Sequence, residues 1–81
     1  MDTWKDIEAE VRAAEFKYGA FASTQEALGV ITEEYYELVE AIRKNRADAV
    51  IMEAIQIAAA CIRLAEQSEK SGTFFTGRSG L

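Results

Sequence analysis

Two stretches carry the residues capable of chemistry: Thr32-Glu33-Glu34-Tyr35-Tyr36-Glu37-Leu38-Val39-Glu40, and Met52-Glu53-Ala54-Ile55-Gln56-Ile57. Each lies in a strongly apolar helical pattern, yet each places acids or an amide where the pattern should be buried. At about 100° per residue, Glu34 falls in the middle of the face made by Ala27, Val30, Ile31, Leu38 and Ala41. Glu37 lies at the edge of that face one turn on, and Glu26, Glu33 and Glu40 form an outward strip beside it. In the second stretch Glu53 is surrounded by Val50, Ile57, Ala60 and Leu64, with Gln56 one turn along the same flank. If the two helices pack antiparallel through these faces, the i,i+3 pairs Glu34/Glu37 and Glu53/Gln56 converge on one volume.

Three carboxylates cannot share a desolvated volume uncompensated, because like charges at close range and loss of water both oppose ionisation. The chain has no His and a single Cys, Cys61, so imidazole and thiolate zinc sites are excluded. An oxygen-seeking divalent cation, Mg²⁺ or Mn²⁺, fits the donors that remain. A second account is equally physical: acids half exposed at a bundle edge, or paired with Arg12, Lys17, Arg43 or Arg63. Tyr35 and Tyr36 offer faces for stacking on a base, although their helical spacing also suits a core. Cys61 reads as a small buried apolar residue.

These residues need helices to position them. Asp2 or Thr3 can cap a first helix with apolar positions Trp4, Ile7, Val11, Ala14 and Tyr18, ending near Gly19. Ser23 followed by Glu26 is a capping-box pattern, so a second helix is expected over about Thr24 to Arg43. Asn45 sits in a polar break as either a left-handed stop or the next N-cap. A third helix is expected from about Ala47 to Gln67. From Val50 to Ile62 it is apolar except at Glu53 and Gln56, which marks it as central and buried. The glycine- and serine-rich stretch over 70–81, with Phe74 and Phe75, reads as a tail. The expected fold is all-α: three main helices in one domain over 1–81, forming an oligomeric helical bundle.

Bulk properties agree. A chain of 81 residues buries only about 60% of its unfolded surface, whereas 49% of the residues are hydrophobic, more than three short helices hide alone. Self-association is therefore expected. The net charge of -5 and the lack of a basic run argue against duplex nucleic acid as a partner, while carboxylates bridged by a divalent cation remain compatible with phosphates. Neither a signal pattern nor an uninterrupted apolar span occurs, so no membrane association and a cytoplasmic location are expected.

The run Glu33-Glu34-Tyr35-Tyr36-Glu37-Leu38 followed by Glu53-Ala54-Ile55-Gln56 resembles the E-x-x-E and E-x-x-D pair of the MazG-like all-α nucleoside triphosphate pyrophosphohydrolases, relatives of the dimeric dUTPases. Lys17-Tyr18-Gly19 and Ser23-Thr24-Gln25-Glu26 are similar to the lead-in of the smaller phage- and integron-type members, and the resemblance spans roughly Ala14 to Glu66. It implies hydrolysis of (d)NTP to (d)NMP and pyrophosphate, a house-cleaning activity on nucleotide pools, with Mg²⁺ held by the motif residues in homo-oligomers, dimers or tetramers. Carried over by position, the metal ligands are Glu34, Glu37, Glu53 and Gln56. Glu37 or its neighbour Glu33 would serve the attacking water, and Lys17, Tyr36 and Arg63 the substrate, with Lys70 or Arg78, from this subunit or another, as further phosphate contacts.

Two departures accompany the resemblance. Gln56 stands where the family usually has Asp, and a Gln offers one neutral carbonyl oxygen and an amide that cannot ligate a cation. No fourth helix and no basic cluster follow the second motif. The alternative expectation is a non-catalytic nucleotide-binding or oligomerisation module with a decayed metal site.

Overall fold

The computed structural model describes residues 1–71. They form three helices, α1 (Thr3–Tyr18), α2 (Thr24–Arg43) and α3 (Ala47–Ser71), and no strand occurs among the described residues.

Local chemistry sets most boundaries. Asp2 opens α1 by accepting the Lys5 N–H at 3.1 Å, and Gly19 closes it at φ 73°, a left-handed conformation that favours a residue without Cβ. Ser23 caps α2 by accepting the Glu26 N–H at 3.1 Å. Glu26 returns the bond one residue further back than in the usual box, to the Ala22 N–H at 2.6 Å. At the other end Asn45 takes φ 56°, and the Asn45 and Arg46 N–H groups donate to Ile42 O and Ala41 O at 3.0 and 3.1 Å. That is a Schellman stop, so of the two roles open to Asn45 the left-handed one is adopted.

The third helix runs four residues beyond its expected end at Gln67. Nothing between Gln67 and Ser71 is a glycine or proline, and Glu69 and Lys70 are sound helix formers. The remainder of the expected tail lies outside the described residues.

α3 is the central element. It packs against both α1 and α2, which make no contact with each other among the described residues. Ile7 and Val11 of α1 meet Ala59, with Ile55, Ala58 and Ile62 around them. On the α2 side Ala27 and Ala41 are buried, with Val30, Ile31, Leu38 and Glu34 half-buried between them. Because the two outer helices diverge on a shared partner, a cleft opens between them.

Several apolar positions lie outward in the single chain. Trp4 is 77% exposed and Tyr18 68%, which corrects their expected place on the buried face of α1. Ile7 and Val11 are the buried positions of α1, with Glu10 and Ala14 half-buried beside them, because one helix cannot enclose a wider face. Cys61 is exposed rather than buried, on an apolar flank of α3 that carries Ile51, Ala54 and Ala65 as well. The all-round apolar character of α3 is thus only partly used by α1 and α2. No described helix is long and apolar enough to cross a membrane.

Candidate metal centre and nucleotide cleft

The helical repeat of α2 and α3 brings Glu34, Glu37 and Glu53 together: one carboxylate oxygen from each lies within 4.8 Å of the others. Glu34 and Glu53 are half-buried and Glu37 is exposed. One oxygen of Glu34 and one of Glu53 are buried without any hydrogen-bond partner, an arrangement that ordinarily costs several kcal/mol for charged groups. The Glu34 carboxyl is raised from an ordinary 4.5 to about 7, first of all by burial. The Glu37 charge, a proton Glu34 can share with Glu53, and the charges of Glu53 and Glu33 act in the same direction.

These donors fit a hard divalent cation. Oxygen ligands about 2.1 Å from Mg²⁺ lie at most about 4.2 Å apart across the ion, so the observed spacing needs only a small side-chain adjustment. A cation would supply the counter-charge the acids lack. The account in which basic residues neutralise them does not hold among the described residues, where the ion pair present is Arg12 with Glu8 at 3.0 Å, on the surface of α1.

Beside this cluster lies a cleft of about 770 Å³ between α1, the α1–α2 connection, α2 and α3. Glu34 belongs to both, lining the cleft together with Glu33, Gln56, Lys17 and Arg63. Of the residues singled out in the sequence, then, three acids form the cluster and five residues line the cleft. Tyr36 is in neither set. It is 66% exposed and packs beside Tyr35, ring centroids 6.1 Å apart.

Arg63 is only 7% exposed. Its guanidinium lies 4.2 Å from the centroid of the Phe21 ring and donates to Gly19 O at 3.1 Å. Lys17 lies with its ammonium 5.2 Å from the Tyr18 ring.

Among the further lining residues that sequence reasoning did not place at the site are Glu10, Tyr18, Phe21 and Glu26. Glu10 was recoverable, since Glu10, Ala14 and Lys17 recur at i,i+4,i+7 and so share one face. Phe21, buried within a short connection, had no local signal. With Glu10, Glu26, Glu33 and Glu34 against Lys17 and Arg63, the cleft has an acidic excess, and an anionic ligand there requires a bridging cation.

A comparison with known families supplies the same reading. No curated protein and no solved structure gave a match. The sequence model of the MazG nucleotide pyrophosphohydrolase domain matches residues 22–77, a stretch that contains the α2 capping box, the Glu34/Glu37 and Glu53/Gln56 pairs and all of α3. With the all-α architecture and the carboxylates of α2 and α3 already brought together, the match leaves one conclusion: the chain belongs to the MazG nucleotide pyrophosphohydrolase domain family.

Proposed function

We propose that this protein hydrolyses a nucleoside triphosphate, (d)NTP, to the monophosphate and pyrophosphate, with a divalent cation, Mg²⁺ or alternatively Mn²⁺, held by Glu34, Glu37 and Glu53. The observation that carries the reading is the pair of buried, partnerless carboxylate oxygens on Glu34 and Glu53, facing each other next to an acidic cleft. When bound, such an ion neutralises the triphosphate and polarises the phosphoanhydride to be cleaved.

The chain's own residues then divide the remaining work. Glu37, exposed at the edge of the cluster, and Glu33, on the cleft wall, are placed to orient the attacking water and accept its proton. Lys17 and Arg63 bring the positive charges of the cleft to the phosphates. Gln56 offers its carbonyl oxygen from the cleft wall as a neutral fourth donor. Tyr36 can contribute only on the outer face, through the reorganisation of a second subunit against it. The exposed apolar flank of α3 and the exposed Trp4 and Phe16 support a homo-oligomer, dimer or tetramer.

Gln56 also favours a second reading, in which nucleotide and metal bind without turnover because the site lacks one carboxylate. The two separate in a single experiment. Purified protein with Mg²⁺ and a panel of (d)NTPs should release pyrophosphate, and Glu34→Gln should abolish it. A raised melting temperature with nucleotide and Mg²⁺ but no pyrophosphate identifies the binding module, and neither response rejects both.

A further inference from the structure

We infer that Gln67, acting with Arg63, is a positioning residue that sets the protein's affinity for its nucleotide by fixing the wall of the cleft formed by Gly19–Ala22. This rests on the proposed function above. The wall is a short connection with little means of holding itself in place: Gly19 is in the left-handed region and Ala20 and Ala22 are exposed. Its position comes from α3. The Gln67 side chain accepts the Phe21 N–H at 2.9 Å through Oε1 and donates to Phe21 O at 2.6 Å through Nε2, so one amide satisfies both backbone groups of a single residue. One turn back, the Arg63 guanidinium covers the Phe21 ring and holds Gly19 O.

Two features make this more than general scaffolding. First, the residues held are separated from their holders by more than forty positions in sequence: local bonds tie the connection to its flanking helices, Gly19 N–H to Glu15 O and Ala22 N–H to Glu26, while Gln67 and Arg63 tie it to α3. Second, Gln67 itself is not among the cleft's lining residues, whereas Ala20, Phe21, Ala22 and Arg63 are. Gln67 lines instead a smaller pocket that shares Ala20 and Arg63 with the cleft, so for a nucleotide seated in the cleft its effect on binding passes through the wall. On α3 the face that begins with Glu53 and Gln56 continues to Arg63 and Gln67. One helix therefore carries both Glu53 of the acid cluster and the fastening of the opposite wall, and fixes the span between them.

The test uses the full chain, four non-hydrolysable α,β-imido deoxynucleoside triphosphates, and Mn²⁺ alone. Gln67→Leu removes the paired hydrogen bonds at similar volume, and Gln67→Glu keeps an acceptor for the Phe21 N–H but loses the donor. The expected result is nucleotide affinity weakened by about tenfold in Gln67→Leu and less in Gln67→Glu, with Mn²⁺ affinity unchanged and the Phe21 amide exchanging faster with solvent. Melting curves establish that each variant is folded. If folded Gln67→Leu binds nucleotide as the parent does, or if Mn²⁺ affinity falls equally, the positioning role is overturned. A parent chain that binds none of the four overturns instead the functional reading on which the role depends.

Discussion

The two ends of the cleft are built on opposite principles. At the α1–α2 connection the backbone is tied down: Gly19 N–H to Glu15 O, Gly19 O to Arg63, both groups of Phe21 to Gln67, Ala22 N–H to Glu26. At the α2–α3 contact, by contrast, carboxylate oxygens of Glu34 and Glu53 are buried with no donor beyond a proton they can share with each other. Folded chains satisfy buried polar groups as a rule; beside Gln67 the neutral Ser68 hydroxyl is also buried without a partner, but only the Glu34 and Glu53 oxygens carry a charge that calls for a counter-ion. The difference locates the ligand more firmly than the acid motif does, because acids at i,i+3 spacing are common on solvated helix faces.

The contrast predicts that perturbing the two ends moves stability in opposite directions. The largest effect belongs to the satisfied end: Phe21→Ala should lower unfolding free energy by about 3 kcal/mol in urea titrations, as loss of a buried aromatic does. At the other end Glu34→Gln should reduce turnover by more than about a hundredfold, since even residues one shell from a metal cost about ten- to a hundredfold. In EDTA at pH 8 the same variant should melt higher than the parent, because it removes a carboxylate that burial and its neighbours disfavour. A lower melting temperature would mean that the acids stabilise the fold, and the comparison would fail.

The pH dependence sharpens the same point. Glu34 is raised in the folded chain from 4.5 to about 7, so the stability it confers is fully present below about 4.5 and is lost as the pH rises through about 7. Without metal, the difference in urea midpoint between parent and Glu34→Gln should grow in favour of the variant across that window. Mn²⁺ affinity should run the other way, rising by about tenfold per pH unit toward pH 7 and levelling above it, because one proton must leave on binding. Flat affinity between pH 5 and 7 would remove Glu34 from the ligand set. The smallest effect is at the cap: Ser23→Ala should cost about 1 kcal/mol of stability with Mn²⁺ affinity unaltered.

What the sequence disclosed followed the range of the interactions. The bounds of α2 were legible because Ser23, Glu26 and Asn45 act on backbone groups within a few residues of themselves, and the meeting of Glu34, Glu37 and Glu53 followed from helical period once α2 and α3 were taken to pack antiparallel through their apolar faces. The fastening of Phe21 was not legible. Gln67 looks like any polar residue near a helix end, and its partner lies 46 positions away. Trp4, Tyr18 and Cys61 misled for a related reason: hydrophobicity states that a side chain prefers burial but not whether its own chain provides it, and α1 meets only one other helix.

That solitary contact has a kinetic consequence. Among the described residues α1 packs on α3 alone, so its departure requires separating one small apolar patch around Ile7, Val11 and Ala59 and the Arg63 bond to Gly19 O, and leaves the α2–α3 hairpin whole. Amide protons of α1 should accordingly exchange with deuterium through a partial opening of lower free energy than the one that releases the hairpin. Since α1 supplies Glu10, Ala14 and Lys17 to the cleft, each such excursion bares the acids of the hairpin to bulk water, which gives the buried carboxylates a route for exchanging ions without global unfolding.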